Sequence, residues 1–223
     1  MKRLALLLPL LLACENPPTG LPEPVYEVRL FYAYPEGAED RGLALADSVK
    51  RSVAIAQYWL VEHTGVRLRL NDRLTIAELV GWTAEDMNAA KVHAVLEIAI
   101  AKLLAPGQIA FVYYDGHYDK ACGGSAWPPT LPGKVAAAYL KSTLGGCDRE
   151  PFLGRSSTGV SFGYRERQFL HDTLHLLGII PPPDGPHSLD SSDLMCGTGC
   201  KSALYIGDGY TDLITASPYA EEA

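Results

Sequence analysis

The run His171-Asp172-Thr173-Leu174-His175-Leu176-Leu177-Gly178 constrains this chain more than any other stretch. Histidines four residues apart stack on one helix face, because 3.6 residues make a turn. Both imidazoles can then reach one metal ion. Asp172 projects about 100° further round the helix, where its carboxylate can face a water on that metal without being a ligand. Gly178 can take the left-handed conformation that ends a helix, and Pro181-Pro182-Pro183 forbid its continuation. The helix therefore stops about one turn past His175, and the chain is free to return a third ligand.

A lone His-x-x-x-His pair is weak evidence, since a buried histidine bonded to a backbone carbonyl is the usual explanation. Here an acid follows the first histidine and a glycine follows the second. His187 comes after the break, and Ser191-Ser192-Asp193-Leu194-Met195 comes after His187. His63, His93 and His117 fall on unrelated segments and read as surface or core histidines.

Over Tyr164 to Cys196 the chain resembles the metzincin zinc endopeptidases. Their pattern is His-Glu-x-x-His-x-x-Gly, a third zinc-binding histidine and a methionine-containing turn under the metal. It is most similar to a bacterial metzincin-like subgroup with a delayed third histidine and an Asp-Leu-Met turn. The resemblance implies a zincin-like fold and a zinc site of His171, His175 and His187. It also implies Asp172 as general base, Met195 in the Met-turn, and a peptide or protein substrate. Two departures stand out. Pro181 occupies the usual place of the third histidine, so His187 requires a longer loop, stiffened by Pro181, Pro182, Pro183 and Pro186. Asp172 replaces the usual glutamate, which withdraws the carboxylate by about 1.5 Å. A general base must come within about 2.6–3.2 Å of its proton, so the alternative is a non-catalytic zinc-binding module. An amidase acting on cell-wall peptides is a lesser option. Tyr205 and Tyr210 are both candidates for an oxyanion donor. Asp190 and Asp193 either orient a ligand histidine or cap turns, and the second role is the commoner one. Cys196 is a lesser alternative to His187 as ligand.

Residues 1–14 read as a lipoprotein signal segment. Lys2 and Arg3 precede an apolar run, Leu4 to Leu12, too short to anchor in a bilayer. Leu11-Leu12-Ala13-Cys14 resembles a lipobox, with Cys14 the lipidated residue; a secretory signal cleaved near Ala13 is the simpler alternative. Residues 15–25 form a proline-rich tether, and 26–223 a single domain. The expected location is the cell envelope, lipid-anchored to a bacterial membrane, with the domain a monomer. Removing Lys2 and Arg3 leaves 17 basic residues against 26 acidic, a net charge of −9. With no basic cluster, nucleic-acid binding is excluded. Four cysteines remain in the exported part: Cys122, Cys147, Cys196 and Cys200. An even number outside the cytoplasm suggests two disulfides, with three possible pairings. Cys196–Cys200 would close a small loop and Cys122–Cys147 a long one.

The expected fold is α/β (α+β): a mixed twisted sheet flanked by long helices, with a small loop-rich C-terminal part. Strands are expected at Tyr26–Tyr34, Val66–Leu70, Leu74–Val80, Gln108–Tyr114 and Lys134–Leu140. Helices are expected over about Arg41–Glu62, from Thr83 to Pro106 without a break, and Tyr164–Leu177, with Leu170, Leu174 and Leu177 toward the sheet. Arg167 and Gln168, one turn before His171, are placed to line a cleft. Gly116–Gly133 reads as loop. No Walker A or dinucleotide loop is present.

Overall fold

A computed structural model describes residues 24–89, 91–142, 154–155, 161–179, 187–197, 205–207 and 209–223. The expectations for the signal segment, Cys14, Cys147, Cys200 and the proline loop lie outside these residues.

The chain begins with β1 (Glu27–Glu36), α1 (Gly42–Thr64), β2 (Val66–Leu68) and β3 (Leu70–Thr83). Gly65, at φ 76°, ends α1 in the left-handed conformation that its sequence predicts. The single strand expected over Val66–Leu70 is divided at Arg69. β2 leaves to pair with β9 (Ala220–Glu222), while β3 takes in the Leu74–Val80 segment and joins the main sheet.

The long helix expected from Thr83 is two helices, α2 (Ala84–Ala89) and α3 (Val92–Ala101). Its start is as read: the Asp86 amide donates to Thr83 Oγ1, and the Thr83 amide and hydroxyl donate to Asp86 Oδ2. The break follows from the core pattern. Met87 and Val92 are both buried but five residues apart, and in one continuous helix that spacing would turn one of them about 140° off the buried stripe.

Next come β4 (Gln108–Tyr118), β5 (Gly123–Trp127) and β6 (Leu131–Ser142). The main sheet has the order β3-β1-β4-β6-β5, parallel throughout except for β5, which is antiparallel to β6 and forms one edge. β5 corrects the expectation of loop over Gly116–Gly133. Its residues, Gly-Gly-Ser-Ala-Trp, lack the β-branched bulk that marks a strand in sequence. Small residues are needed here, because a Cβ at Gly123 would lie 2.4 Å from the Ala137 carbonyl oxygen and 2.6 Å from Gln168 Nε2.

Alternate residues of the central strands feed two cores. Ile109, Phe111 and Tyr113 face α1 and the histidine helix; Ala110, Val112 and Tyr114 face α2 and α3. Helices on both faces explain why β4 is almost continuously apolar. After the short strands β7 (Gly154–Arg155) and β8 (Ser161–Phe162) comes α4 (Tyr164–Leu176), followed near the end by α5 (Tyr210–Thr215). Leu170 and Leu174 of α4 are fully buried against the sheet, each stabilising by about 1.5–3 kcal/mol, and Leu177 packs at the margin. No helix among the described residues is long and apolar enough to cross a membrane.

Candidate metal centre

α4 is buried from Arg167 to Leu176, and that stretch includes six polar residues: Arg167, Gln168, His171, Asp172, Thr173 and His175. Such groups are seldom buried without partners or a task. The helix is fixed at its start by Glu166. One of its carboxylate oxygens accepts the Gly163 amide at 2.8 Å, and the other accepts the Ser52 hydroxyl of α1. At its end Gly178 is left-handed, φ 79°.

The sequence assigns three histidines to one ion, and the fold brings them together. One ring nitrogen from each of His171, His175 and His187 lies within 4.8 Å of the others. His171 Nδ1 is 2.9 Å from the Leu194 carbonyl oxygen and His175 Nδ1 is 3.2 Å from that of Ile179. A carbonyl only accepts, so both Nδ1 atoms carry the proton and donate it. Both Nε2 atoms are then bare lone pairs, facing each other at 3.1 Å. Two nitrogens at ~2.0–2.1 Å from one tetrahedral ion would sit about 3.3 Å apart. Paired lone pairs without a proton between them fit a cation and fit little else, so the residues match a metal site.

The electrostatics agree. Burial pushes His171 well below the usual histidine range, helped by the Arg167 and His175 charges. Burial and His187 take His175 to about 4, and burial and Arg167 lower His187. All three imidazoles are therefore neutral at pH 7, as ligands must be. Neutral imidazoles suit zinc among the divalent metals.

Asp172 lies in the same cleft, of about 440 Å³, with Gln168, Arg167, Tyr164 and strand β5. Burial raises its carboxyl to about 7, against the hydrogen bonds and the Arg167 charge that lower it. Its Oδ2 accepts from Gln168 Nε2, and its Oδ1 from Ser125 Oγ at 3.3 Å. Gln168 and Arg167 line the cleft as their helix position predicts.

Met195 is fully buried with Leu170, Leu174 and Leu194. It stands one residue after the carbonyl that holds His171. Asp193 Oδ1 accepts the Met195 amide at 3.0 Å. Asp190 accepts the Ser192 amide at 2.8 Å and the Tyr205 hydroxyl at 2.7 Å. In these bonds both aspartates shape the turn, and the groups seen to orient His171 and His175 are backbone carbonyls. Tyr205 thus bonds into the turn, and Tyr210 is packed in the core. Neither lines the cleft; Tyr164 does. His63 is bonded to the Trp59 carbonyl and His93 to that of Val135, and neither belongs to the histidine cluster, nor does Cys196.

Sequence reasoning missed Ser125, the two carbonyls and Gly197. A Cβ at Gly197 would lie 2.5 Å from His187 Cγ, so the absence of a side chain there gives the His187 ring its place. The glycine two residues after Met195 was the available signal.

No family model and no curated relative matches this chain. Among solved structures it is similar to archaemetzincin from Methanopyrus kandleri, at TM-score 0.48 and 12% identity, over 86% of this chain and 96% of that one. It is also similar to metalloproteinase-II from Bacteroides fragilis, at TM-score 0.40 and 16% identity, over 89% of this chain and 57% of that one. A chain of a chaperone-substrate complex matches at TM-score 0.39 and 12% identity, over 84% of this chain and 33% of that one. At these scores the likeness carries no argument, and the functional reading rests on the site.

Proposed function

We propose that this chain is an exported zinc-dependent peptidase of metzincin type, with His171, His175 and His187 holding the metal and Asp172 as general base. One observation carries the reading: three imidazole nitrogens converge within 4.8 Å, in a cleft that also holds a buried carboxylate and an edge strand. Zinc, when bound, supplies Lewis acidity that polarises a carbonyl and lowers the pKa of water toward ~7.

The chain's own groups do the rest. The Leu194 and Ile179 carbonyls keep the protons of His171 and His175 on Nδ1. Asp172, with its carboxyl near 7, accepts a proton from the attacking water and returns it to the leaving amine. Gln168 and Ser125 hold its oxygens in place. β5 presents an edge along which an extended peptide can lie. Met195 fills the space beneath the imidazoles.

The purified mature domain should contain one zinc per chain and hydrolyse peptides, and a chelator should abolish the activity reversibly. A preparation lacking stoichiometric zinc would sink the metal assignment. A second reading, a non-catalytic zinc-binding module on the same fold, draws on the fact that both Asp172 oxygens already accept hydrogen bonds. Asp172→Glu separates the two. A gain in hydrolysis marks a suboptimal base, and silence in both forms favours the module.

Export, an anchor at Cys14 and two disulfides complete the proposal. Cys122 and Cys196 are the described cysteines, and Cys147 and Cys200 are their expected partners. Cys14→Ala should move the protein from the membrane to the soluble fraction, and mass analysis of unreduced peptides should recover Cys122 with Cys147 and Cys196 with Cys200.

A further inference from the structure

Strands β1, β4 and β6 enter the sheet side by side, and the segments leading into them share one rim of the domain. Arg29, Ala110 and Val135 are level in the register. Four positions back along each chain stand Val25, Pro106 and Leu131. Neighbouring strands lie about 4.8 Å apart, so the three segments fit within a width of about 10 Å. The first two touch: a Cβ at Gly107 would lie 2.9 Å from the Pro24 Cβ and from the Val25 carbonyl oxygen.

This rim is apolar and faces water. Pro24-Val25-Tyr26, Lys102-Leu103-Leu104-Ala105-Pro106-Gly107 and Pro128-Pro129-Thr130-Leu131-Pro132-Gly133 carry one charge among them, on Lys102, although 20% of the chain is charged. Val25 is 61% exposed, Leu103 51% and Leu131 43%. Scattered exposed apolar side chains are ordinary, but three on the lead-ins of adjacent strands make a patch. The carboxylates beside it are engaged. Glu27 accepts Gln108 Nε2 at 2.6 Å, Glu97 accepts the Lys134 and Val135 amides, and Glu221 pairs with Arg67 and Arg69. Lys102 and Lys134 are exposed, and such side chains lay their stems on apolar surface while the ammonium stays in water.

The anchor lies on the same side. Nine residues separate Cys14 from Pro24. They reach at most about 32 Å, and they join the domain at this rim. A lipid on Cys14 therefore holds the rim, before any other surface, next to the bilayer. So short a tether confines the domain at an effective concentration on the order of 1 mM, where a shallow apolar contact is enough.

We propose that this rim is the membrane-docking face of the anchored protein, with Val25, Leu103 and Leu131 set into the boundary between headgroups and acyl chains. The inference rests on the anchor at Cys14 and does not require the peptidase reading. Trp127 pairs with Leu131, so docking brings the Trp127 end of the metal cleft down beside the bilayer.

The lipidated mature protein in phosphatidylcholine vesicles with brominated acyl chains tests it. Each variant carries one added tryptophan, and the parent chain supplies the background of Trp59, Trp82 and Trp127. Leu103→Trp and Leu131→Trp should be blue-shifted and quenched. Val80→Trp, 74% exposed near the other end of β3, should be unchanged. The quenching should persist as salt rises toward 1 M, because the contact is apolar. Adding Val25→Asp and Leu103→Asp to Leu131→Trp should abolish it, with the melting temperature unchanged and the lipid still holding the protein on the vesicles. A lipidated Cys14 with no quenching at either rim position, or with equal quenching at Val80→Trp, would overturn the inference and leave the anchor standing. A Cys14 found without lipid by mass analysis would remove both. A blue shift of Leu131→Trp in concentrated Cys14→Ala protein without vesicles, together with a dimeric mass, would give the rim to a second copy of the chain instead.

Discussion

The two histidines of α4 and the single histidine beyond it reach the same point by different means. His171 and His175 are buried, spaced by one helical turn and each bonded through Nδ1 to a backbone carbonyl. His187 is exposed and stacks on His171 at a ring separation of 5.2 Å and an angle of 13°. Its place depends on the missing side chain of Gly197. A helix delivers two ligands as a by-product of forming at all. The third ligand has to be placed by contacts specific to it, so it is the more easily displaced.

Replacing His171 or His175 with Ala should have the largest effect. Metal affinity, read by competition with a chromophoric chelator, should fall by well over the roughly 10–100-fold typical of losing a partner that only orients a ligand. His187→Ala should cost less, about 100-fold, leaving weak binding by the helical pair; an equal loss would erase the distinction between the two arms. Gly197→Ala should cost about tenfold, comparable with losing an orienting partner, because the His187 ring must shift. The melting temperature of the metal-free protein should hardly change, and a fall of many degrees would show that Gly197 serves the fold and not the ligand.

The smallest effect should come from a charged cluster on other elements. Burial pushes the Asp115 carboxyl up, but hydrogen bonds from Arg41, Tyr32 and Lys141 outweigh it and leave it below the usual range. A depressed carboxylate stabilises the fold above its unfolded value of ~3.9 and loses that contribution as pH falls through the folded value. Arg41 and Lys141 are partly solvated, which limits the gain. The melting temperature of the metal-free protein should therefore drop below about pH 4, and Asp115→Asn should flatten that limb. An unchanged acid limb in the variant would place the acid sensitivity elsewhere.

Long periodic segments were legible in the sequence. α1, β4, β6 and α4 lie close to where hydrophobic spacing puts them, because each buries a stripe or a face whose period survives in the chain. β5 was not, since its small residues answer to α4 passing above them. That is a demand of packing, silent in the strand's own pattern. The same division holds at the site. His171, His175 and His187 announce themselves by type and spacing. Ser125 is one serine among many until the fold sets it beside Asp172. Asp190 and Asp193 read as turn-shaping groups or as orienters of histidines, the first role being the commoner, and the bonds seen are those of the turn.

The clamps on α4 come from main-chain oxygens, at Leu194 for His171 and at Cys196 for Arg167. The two oxygens lie two residues apart in the turn and hold helix residues one turn apart, so the turn docks on the helix through atoms common to every amino acid. Selection on these contacts acts on the path of the backbone and leaves the letters at those positions free to change. Over long divergence such a segment can be rewritten while the grip on the helix persists.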